Sequence, residues 1–224
     1  MPKRPLEFVI SAGPTREHID PVRFLSNPST GKMGFAVARA AAEAGFKTSL
    51  IAGPVSLSTP RNVERVNVVS ACEMLEACKA KIASAKGGVV FISTAAVADF
   101  RPAVTANKKI KKGSAEEMTL RLVKNPDILK TLSAGKRDGL YKDLSLIGFA
   151  AETGSPAEEA SRKCREKNLD FIVANDVSMP GSGFAVNTNR ASIVFPDGTV
   201  EDLALMTKLQ LARKIVALAI KGVK

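Results

Sequence analysis

The sequence predicts a doubly wound α/β fold: a mostly parallel, Rossmann-like sheet with helices on both faces. Three observations predict it. Short apolar runs rich in Val, Ile and Phe recur along the chain, longer helical stretches separate them, and the runs are near-continuous rather than alternating, as strands covered on both faces are. Phe8-Val9-Ile10 is the first strand, followed by a helix over about residues 31–44 and the strand Thr48-Ser49-Leu50-Ile51. A strand near residues 66–69, a helix near 71–83 and a strand near 89–92 repeat the alternation. A helix after Asn125, a strand at 146–149, a helix at 157–167 and a strand at 171–174 extend it.

One stretch breaks the pattern. Residues 101–124 hold Lys108, Lys109, Lys111 and Lys112, then Gly113-Ser114, then the alternating run 118–123, which reads as a hairpin-like flap. A strand at 191–195, a turn at Asp197-Gly198 and a final helix from about 206 to 220 complete a single domain over residues 1–224.

The 224 residues carry 33 Lys+Arg and 22 Asp+Glu, a net charge of +11, and 45% of them are hydrophobic. A chain of this size buries a full core without staples. Cys72, Cys78 and Cys164 contain no CxxC, and His18 is the only histidine, so a structural metal site is not expected. An N-terminal signal-type apolar region and an apolar run of about 18 residues are both missing, which points to a cytoplasmic protein that does not enter a membrane. The positive charge suits a polyanion, but with no Trp, one Tyr and ten Phe sitting mostly inside apolar runs there is no platform for stacking bases. The charge therefore favours a small phosphorylated ligand over a nucleic acid.

After the first strand, a long polar connection, about 18 residues over 13–30, runs through Ser26-Asn27-Pro28-Ser29-Thr30 to Gly31-Lys32-Met33-Gly34. Ser29 and Thr30 are candidates to cap the helix, and Gly31 and Gly34 leave backbone N–H groups open at a helix N-terminus, where a phosphate is favoured. A P-loop would need Gly at 26 and Ser or Thr at 33, where this chain has Ser26 and Met33. A dinucleotide fingerprint would need a tight first turn and an acid after the second strand, which instead ends Ala52-Gly53-Pro54. The Tyr-xxx-Lys of a short-chain dehydrogenase is missing as well, since Tyr141 is followed four residues later by Ser145. Long connections inside compact domains are often functional. That makes residues 13–30 a site candidate, with Asn27 suited to holding a carboxyl or carbonyl group. The small residues Ser93-Thr94-Ala95-Ala96-Val97-Ala98-Asp99 lie past the end of a central strand, where open α/β sheets bind ligands. The lysines at 108–112 suit a leaving pyrophosphate, and Asn125-Pro126-Asp127-Ile128 reads as a capped helix start.

Taken in order, these segments resemble the phosphopantothenate-cysteine ligases. The resemblance runs through Ser11-Ala-Gly-Pro-Thr-Arg-Glu, Asp20-Pro-Val-Arg, Ser26-Asn-Pro-Ser-Thr-Gly-Lys-Met-Gly-Phe-Ala, Ala52-Gly-Pro-Val-Ser-Leu and Thr94-Ala-Ala-Val-Ala-Asp-Phe-Arg. It continues with Lys109-Ile-Lys-Lys, Val123-Lys-Asn-Pro-Asp-Ile, Gly148-Phe-Ala-Ala-Glu-Thr, Lys167-Asn-Leu-Asp and Ala174-Asn-Asp-Val-Ser. Each motif alone is weak, while their ordered combination covers nearly the whole chain.

The resemblance implies a coenzyme A biosynthesis ligase acting in two steps. The carboxylate of 4′-phosphopantothenate is first activated by CTP as an acyl-cytidylate with release of pyrophosphate, and the amine of L-cysteine then displaces CMP. It implies Asn27 at the acyl group and Lys109 as the active-site lysine of the flap. Gly13, Ser29, Gly31, Gly34, Ser93, Thr94, Ala95, Asp99, Pro126, Asp127, Ile128, Phe149, Lys163 and Lys167 match nucleotide-contacting positions, and Ala95, Ala96 and Asp99, with Asn27, match the pantothenate pocket. Mg²⁺ would be held mainly by triphosphate oxygens and water, without a protein metal site. The pattern is similar to the bacterial, CTP-using type; ATP use by the same ligation and an NADP-dependent dehydrogenase of similar fold are the alternatives. Bacterial relatives often carry a flavin-dependent decarboxylase ahead of this region; here the first strand starts within about ten residues of Met1, so neither decarboxylation nor FMN is expected, and a separate decarboxylase is a possible partner. A homodimer is expected from the resemblance.

Overall fold

The computed structural model describes residues 5–111, 116–152, 156–176 and 186–222. In strand β1 (Leu6–Ala12), Phe8 and Ile10 face one side, Val9 the other, and all three are buried, so both faces of the strand are covered. A short hairpin, β2 (Arg16–His18) and β3 (Phe24–Ser26), precedes α1 (Lys32–Glu43) and β4 (Lys47–Ala52). Then come β5 (Val63–Asn67), α2 (Ala71–Ala83) and β6 (Gly88–Ser93). β7 (Phe100–Pro102) and β8 (Leu122–Lys124) pair antiparallel at the base of the flap. α3 (Ile128–Arg137), β9 (Leu144–Glu152), α4 (Pro156–Glu166) and β10 (Phe171–Asp176) resume the alternation. The chain continues through β11 (Thr188–Asn189), β12 (Ala191–Val194), β13 (Val200–Asp202), β14 (Met206–Thr207) and α5 (Lys208–Gly222).

The main sheet has the order β13-β12-β10-β9-β6-β1-β4-β5. Its strands from β10 to β5 are parallel, and β12 and β13 extend it antiparallel. This is the doubly wound class expected from the sequence. From β1 the chain winds outward to β4 and β5, then returns to β6 and winds the other way, which makes the β1/β6 boundary the topological switch point. Phe8, Ile10, Leu50 and Val90 pack beneath α1 and α5, while Val9, Ile51, Phe91 and Leu146 pack against α2, α3 and α4. Cys78 and Cys164 are buried in this second layer, and burial pushes the Cys164 thiol up to about 11, away from thiolate chemistry.

Four local expectations shift. The strand expected at 66–69 runs from Val63 to Asn67, because Val68 donates its N–H to Ala52 and the Val69 carbonyl accepts from Arg16. The final helix starts at Lys208: Met206 and Thr207 pair with β11, and Thr207 and Gln210 form a reciprocal cap, the Thr207 N–H donating to Gln210 Oε1 at 2.9 Å. Asp127, rather than Asn125, caps α3 by accepting from the Lys130 N–H at 3.0 Å. The alternating run 118–123 becomes strand only from Leu122. Lys112, Gly113 and Ser114 of the flap, and Thr153, Val177 and Ser178 of the quoted motifs, lie outside the described residues.

A close approach fixes where α1 meets the sheet. A Cβ on Gly34 would sit 2.3 Å from Thr94 Oγ1 and 2.5 Å from Ala12 Cβ. Gly34→Ala is therefore expected to cost about 1–3 kcal/mol, the usual penalty for overpacking, read as a lower urea midpoint at unchanged slope. An unchanged midpoint would contradict this packing.

Candidate active site

Beyond the sheet, β1 and β6 stay bonded. Thr94 N–H donates to the Ser11 carbonyl at 3.1 Å and Ala96 N–H to the Gly13 carbonyl at 2.9 Å, and Ala98 N–H reaches Thr15 Oγ1 at 3.0 Å. This zipper holds residues 93–98 against the start of the long loop. The loop is pinned again from the other side: Glu17 is buried and its Oε1 accepts the Ala71 N–H at 2.9 Å, at the start of α2. The loop also contains the β2–β3 hairpin, which the sequence reading treated as a plain connection.

Asn27 sits at the end of this loop. Its Nδ2 donates to the carbonyls of Ala96 at 3.2 Å and Val97 at 3.1 Å. Both amide hydrogens have carbonyl partners, so Oδ1, an acceptor, is what the side chain has left to offer. Ser29 and Thr30 do not cap α1. Gly31 occupies the cap position with φ 76°, no side chain caps the helix, and Ser29 Oγ instead accepts from the Gly31 N–H at 3.3 Å. The cap residue of α1 thus brings no side chain of its own to the first N–H groups of the helix.

These segments line a cavity of about 1000 Å³ at the carboxyl ends of the central strands. Asn27, Ser29, Gly31, Gly34, Ser93, Thr94, Ala95, Ala96 and Asp99 form one wall. Pro126, Asp127, Ile128, Phe149, Lys163 and Lys167 form the other. Gly13 and Lys109 do not line it: Gly13 lies beneath, at φ 75° with its carbonyl taken by Ala96, and Lys109 is exposed on the flap. The charged lining is six lysines, at 32, 124, 130, 163, 167 and 208, against Asp99 and Asp127, so the cavity is strongly positive. Lys167 bridges to Asp127 at 2.7 Å. Burial alone would raise the Asp127 carboxyl, but the Lys130 N–H and the Lys167 ammonium outweigh it and hold it below its ordinary value.

Asn175, Asn189 and Lys208 are among the lining residues that the sequence reading did not name as site residues. Asn175 and Asn189 are buried, and their Oδ1 atoms have no hydrogen-bond partner among the described residues. Lys208 is nearly buried at the start of α5, and burial, with Lys32 nearby, pushes its ammonium below the ordinary value. A signal existed for Asn175, which directly follows the strand expected at 171–174 and lies within β10; nothing local marks Asn189 or Lys208.

The flap leaves the cavity rim at Phe100 and returns to it at Lys124. Its outgoing arm runs along the long loop, with Thr105 Oγ1 donating to the His18 carbonyl at 3.0 Å and Ala106 N–H to the Ile19 carbonyl at 2.9 Å. Asp20 ends this seam, its side chain wholly buried and paired with Arg23 at 2.5 Å.

Residues 4–222 match the family described as DNA/pantothenate metabolism flavoprotein C-terminal domain. The chain belongs to that family. The coenzyme A biosynthesis bifunctional protein CoaBC of Vibrio parahaemolyticus is 49% identical over 210 residues, covering 93% of this chain and 51% of that protein. CoaBC of Escherichia coli K12 is 48% identical over 195 residues, 86% of this chain and 46% of the relative. The chain therefore spans about half the length of these curated relatives. Among solved structures, the C-terminal domain of CoaBC superposes with a TM-score of 0.79 at 39% identity, covering 97% of this chain and 96% of that one. The eight-stranded architecture is thus that of the flavoprotein C-terminal domains.

In this member of the family the Arg23 guanidinium holds the Asp20 carboxyl well below the usual carboxylate range, against the opposing effect of its burial; backbone N–H groups add to the lowering. A carboxyl lowered in the folded state gives stability that is complete above its unfolded value, about 3.9, and is lost as pH falls below it. The stability gap between wild type and Asp20→Asn is therefore expected to be widest near pH 6 and to narrow toward pH 3 in urea titrations. A gap independent of pH would contradict the assignment.

Proposed function

We propose that the protein joins 4′-phosphopantothenate to L-cysteine in coenzyme A biosynthesis, activating the carboxylate with CTP. The observation that carries this reading is convergence: residues scattered from Asn27 to Lys167 meet around one positive cavity at the switch point of the sheet. Its volume is at the upper end of the roughly 300–1000 Å³ usual for one ligand, which suits a site that takes a nucleotide and an acyl substrate together. The close relatives being coenzyme A biosynthesis proteins supports the same reading.

Both substrates are anions that repel each other, so holding them together is the first task. The open first turn of α1, at Gly31 to Gly34, would receive phosphate oxygens, with Ser29, Ser93 and Thr94 beside it. Asp127, Ile128, Phe149, Lys163 and Lys167 would hold the rest of the nucleotide, and Ala95, Ala96 and Asp99 the pantothenate. A carboxylate oxygen then attacks the α-phosphorus, the bond to the pyrophosphate oxygen breaks, and Lys109 meets the charge that leaves. In the second step the cysteine amine attacks the acyl carbon, the carbon–oxygen bond to the nucleotide breaks, and CMP leaves. With its amide hydrogens committed to Ala96 and Val97, Asn27 would accept an N–H of that amine beside the acyl group. A resident metal cage does not fit: among the described residues no three His, Cys, Asp or Glu side chains gather, and Asp127 is occupied by Lys167. These residues fit a Mg²⁺ carried by triphosphate oxygens and water, where it would neutralise phosphate charge. The likeness of the sequence pattern to the bacterial, CTP-using type supports CTP over ATP in this reading. A cytoplasmic homodimer belongs to the same reading.

CTP with Mg²⁺ is expected to raise the melting temperature while NADP leaves it unchanged, since only ligands that prefer the native state stabilise it. Stabilisation by NADP alone would favour the dehydrogenase instead. Lys109→Gln is expected to lose at least about a hundredfold in turnover with an unaltered melting curve. Full activity, or an unfolded variant, would remove Lys109 from this role.

A further inference from the structure

The Asp20 carboxylate receives more donors than its own turn requires. Oδ1 accepts from the N–H groups of Val22 and Arg23, both at 2.9 Å, which closes a local turn. Oδ2 accepts from Arg23 Nε at 3.1 Å and Nη2 at 2.5 Å, and also from the Ile110 N–H at 3.1 Å, ninety residues along the chain. Arg23 Nη2 then donates back to the Ile110 carbonyl at 3.1 Å. Both backbone polar groups of Ile110 are thus taken by one ion pair, whose carboxylate is buried and whose guanidinium is half-exposed, at the residue directly after Lys109. On the other side, Arg23 leads straight through β3 to Asn27. We propose that Asp20 is a positioning residue: with Arg23 it clamps the flap backbone at Ile110 and so holds Lys109 in fixed register with the loop that carries Asn27.

The argument is one of donors and entropy. Asn in place of Asp20 could still close the turn through its carbonyl oxygen, but its NH₂ would face the donors of Arg23 and Ile110, so the long-range half of the clamp fails. A flap dense in lysines gains nothing from self-packing, and fixing each of its residues costs about 1–2 kcal/mol of backbone entropy. Misplacement of a charged group by about 1 Å can cost a hundredfold in rate. The clamp, with the Thr105 and Ala106 bonds beside it, confines the arm that ends at Lys109.

This inference rests on the ligase reading for the role of Lys109, though the clamp itself can be tested without activity. Asp20→Asn is one variant; Ile110→Pro, which removes the N–H that Asp20 accepts while also fixing φ there and restricting Lys109 before it, is the second and carries the exchange test if the first fails to fold. Amide hydrogen exchange of residues 105–109 and 111 is expected to speed up at least tenfold in both, with β1 and β6 still protected. Turnover with phosphopantothenate, CTP and cysteine is expected to fall at least tenfold while CTP affinity stays unchanged. Combined with Lys109→Gln, neither variant should lower turnover further than Lys109→Gln alone. Unchanged exchange, a loss of CTP affinity that accounts for the lost turnover, or losses that multiply with Lys109→Gln would each overturn the proposal. If wild type turns over with no nucleotide, the ligase reading falls, and the exchange result alone decides whether Asp20 holds the flap.

Discussion

Everything at the site depends on the hydrogen bonds that keep residues 11–15 and 93–98 together at and past the carboxyl ends of β1 and β6. At a topological switch point the two crossovers diverge to opposite faces and leave a crevice. Here that crevice is held to a set width because the Ser11 and Gly13 carbonyls receive the Thr94 and Ala96 N–H groups. The carbonyls of Ala96 and Val97 are consequently aimed where Asn27 can reach both. Gly34 completes the arrangement, since only a residue without Cβ lets α1 start directly above Thr94 and Ala12.

The charge distribution follows from the same geometry. Helices on both faces begin near the carboxyl ends of the strands, so α1, α3 and α5 all direct their N-terminal ends toward the crevice, and the lysines at positions 32, 130 and 208 sit at those ends. A lysine at a helix N-terminus is unfavourable for the isolated helix. That cost makes sense where a polyanion is to be bound, and the Lys208 ammonium, lowered first by burial, is lowered further by the charge of Lys32 beside it. In contrast, Glu159, Arg162 and Glu166 on the outer face of α4 form ordinary exposed ion pairs, worth little individually.

The fold was largely legible because its strands are buried on both faces and so spell near-continuous apolar runs. Elements that escape that rule were the ones misread. β5 is an edge strand whose Val63-Glu64-Arg65-Val66 sets two charged residues between its valines instead of a continuous apolar run, so its boundary slid; the β2–β3 hairpin has three-residue strands held by tertiary bonds rather than by any apolar pattern. At the site, Asn27 and the 93–99 segment were legible because loop length and strand ends mark them. Asp20 entered the sequence reading only within the quoted motif Asp20-Pro-Val-Arg, and its bond to Ile110 crosses ninety residues, which no local pattern encodes. Phe149, Lys163 and Lys167 were reachable only through the resemblance, since a phenylalanine in a strand and lysines on a helix surface carry no signal of their own.

The most direct measurement of the central claim is pyrophosphate release from phosphopantothenate and Mg²⁺ with CTP or ATP, each with and without cysteine. The account predicts release with CTP that becomes sustained turnover only when cysteine is added, because the acyl-cytidylate is formed in the first step and consumed by the amine in the second. Folded protein that releases no pyrophosphate with either nucleotide would contradict it.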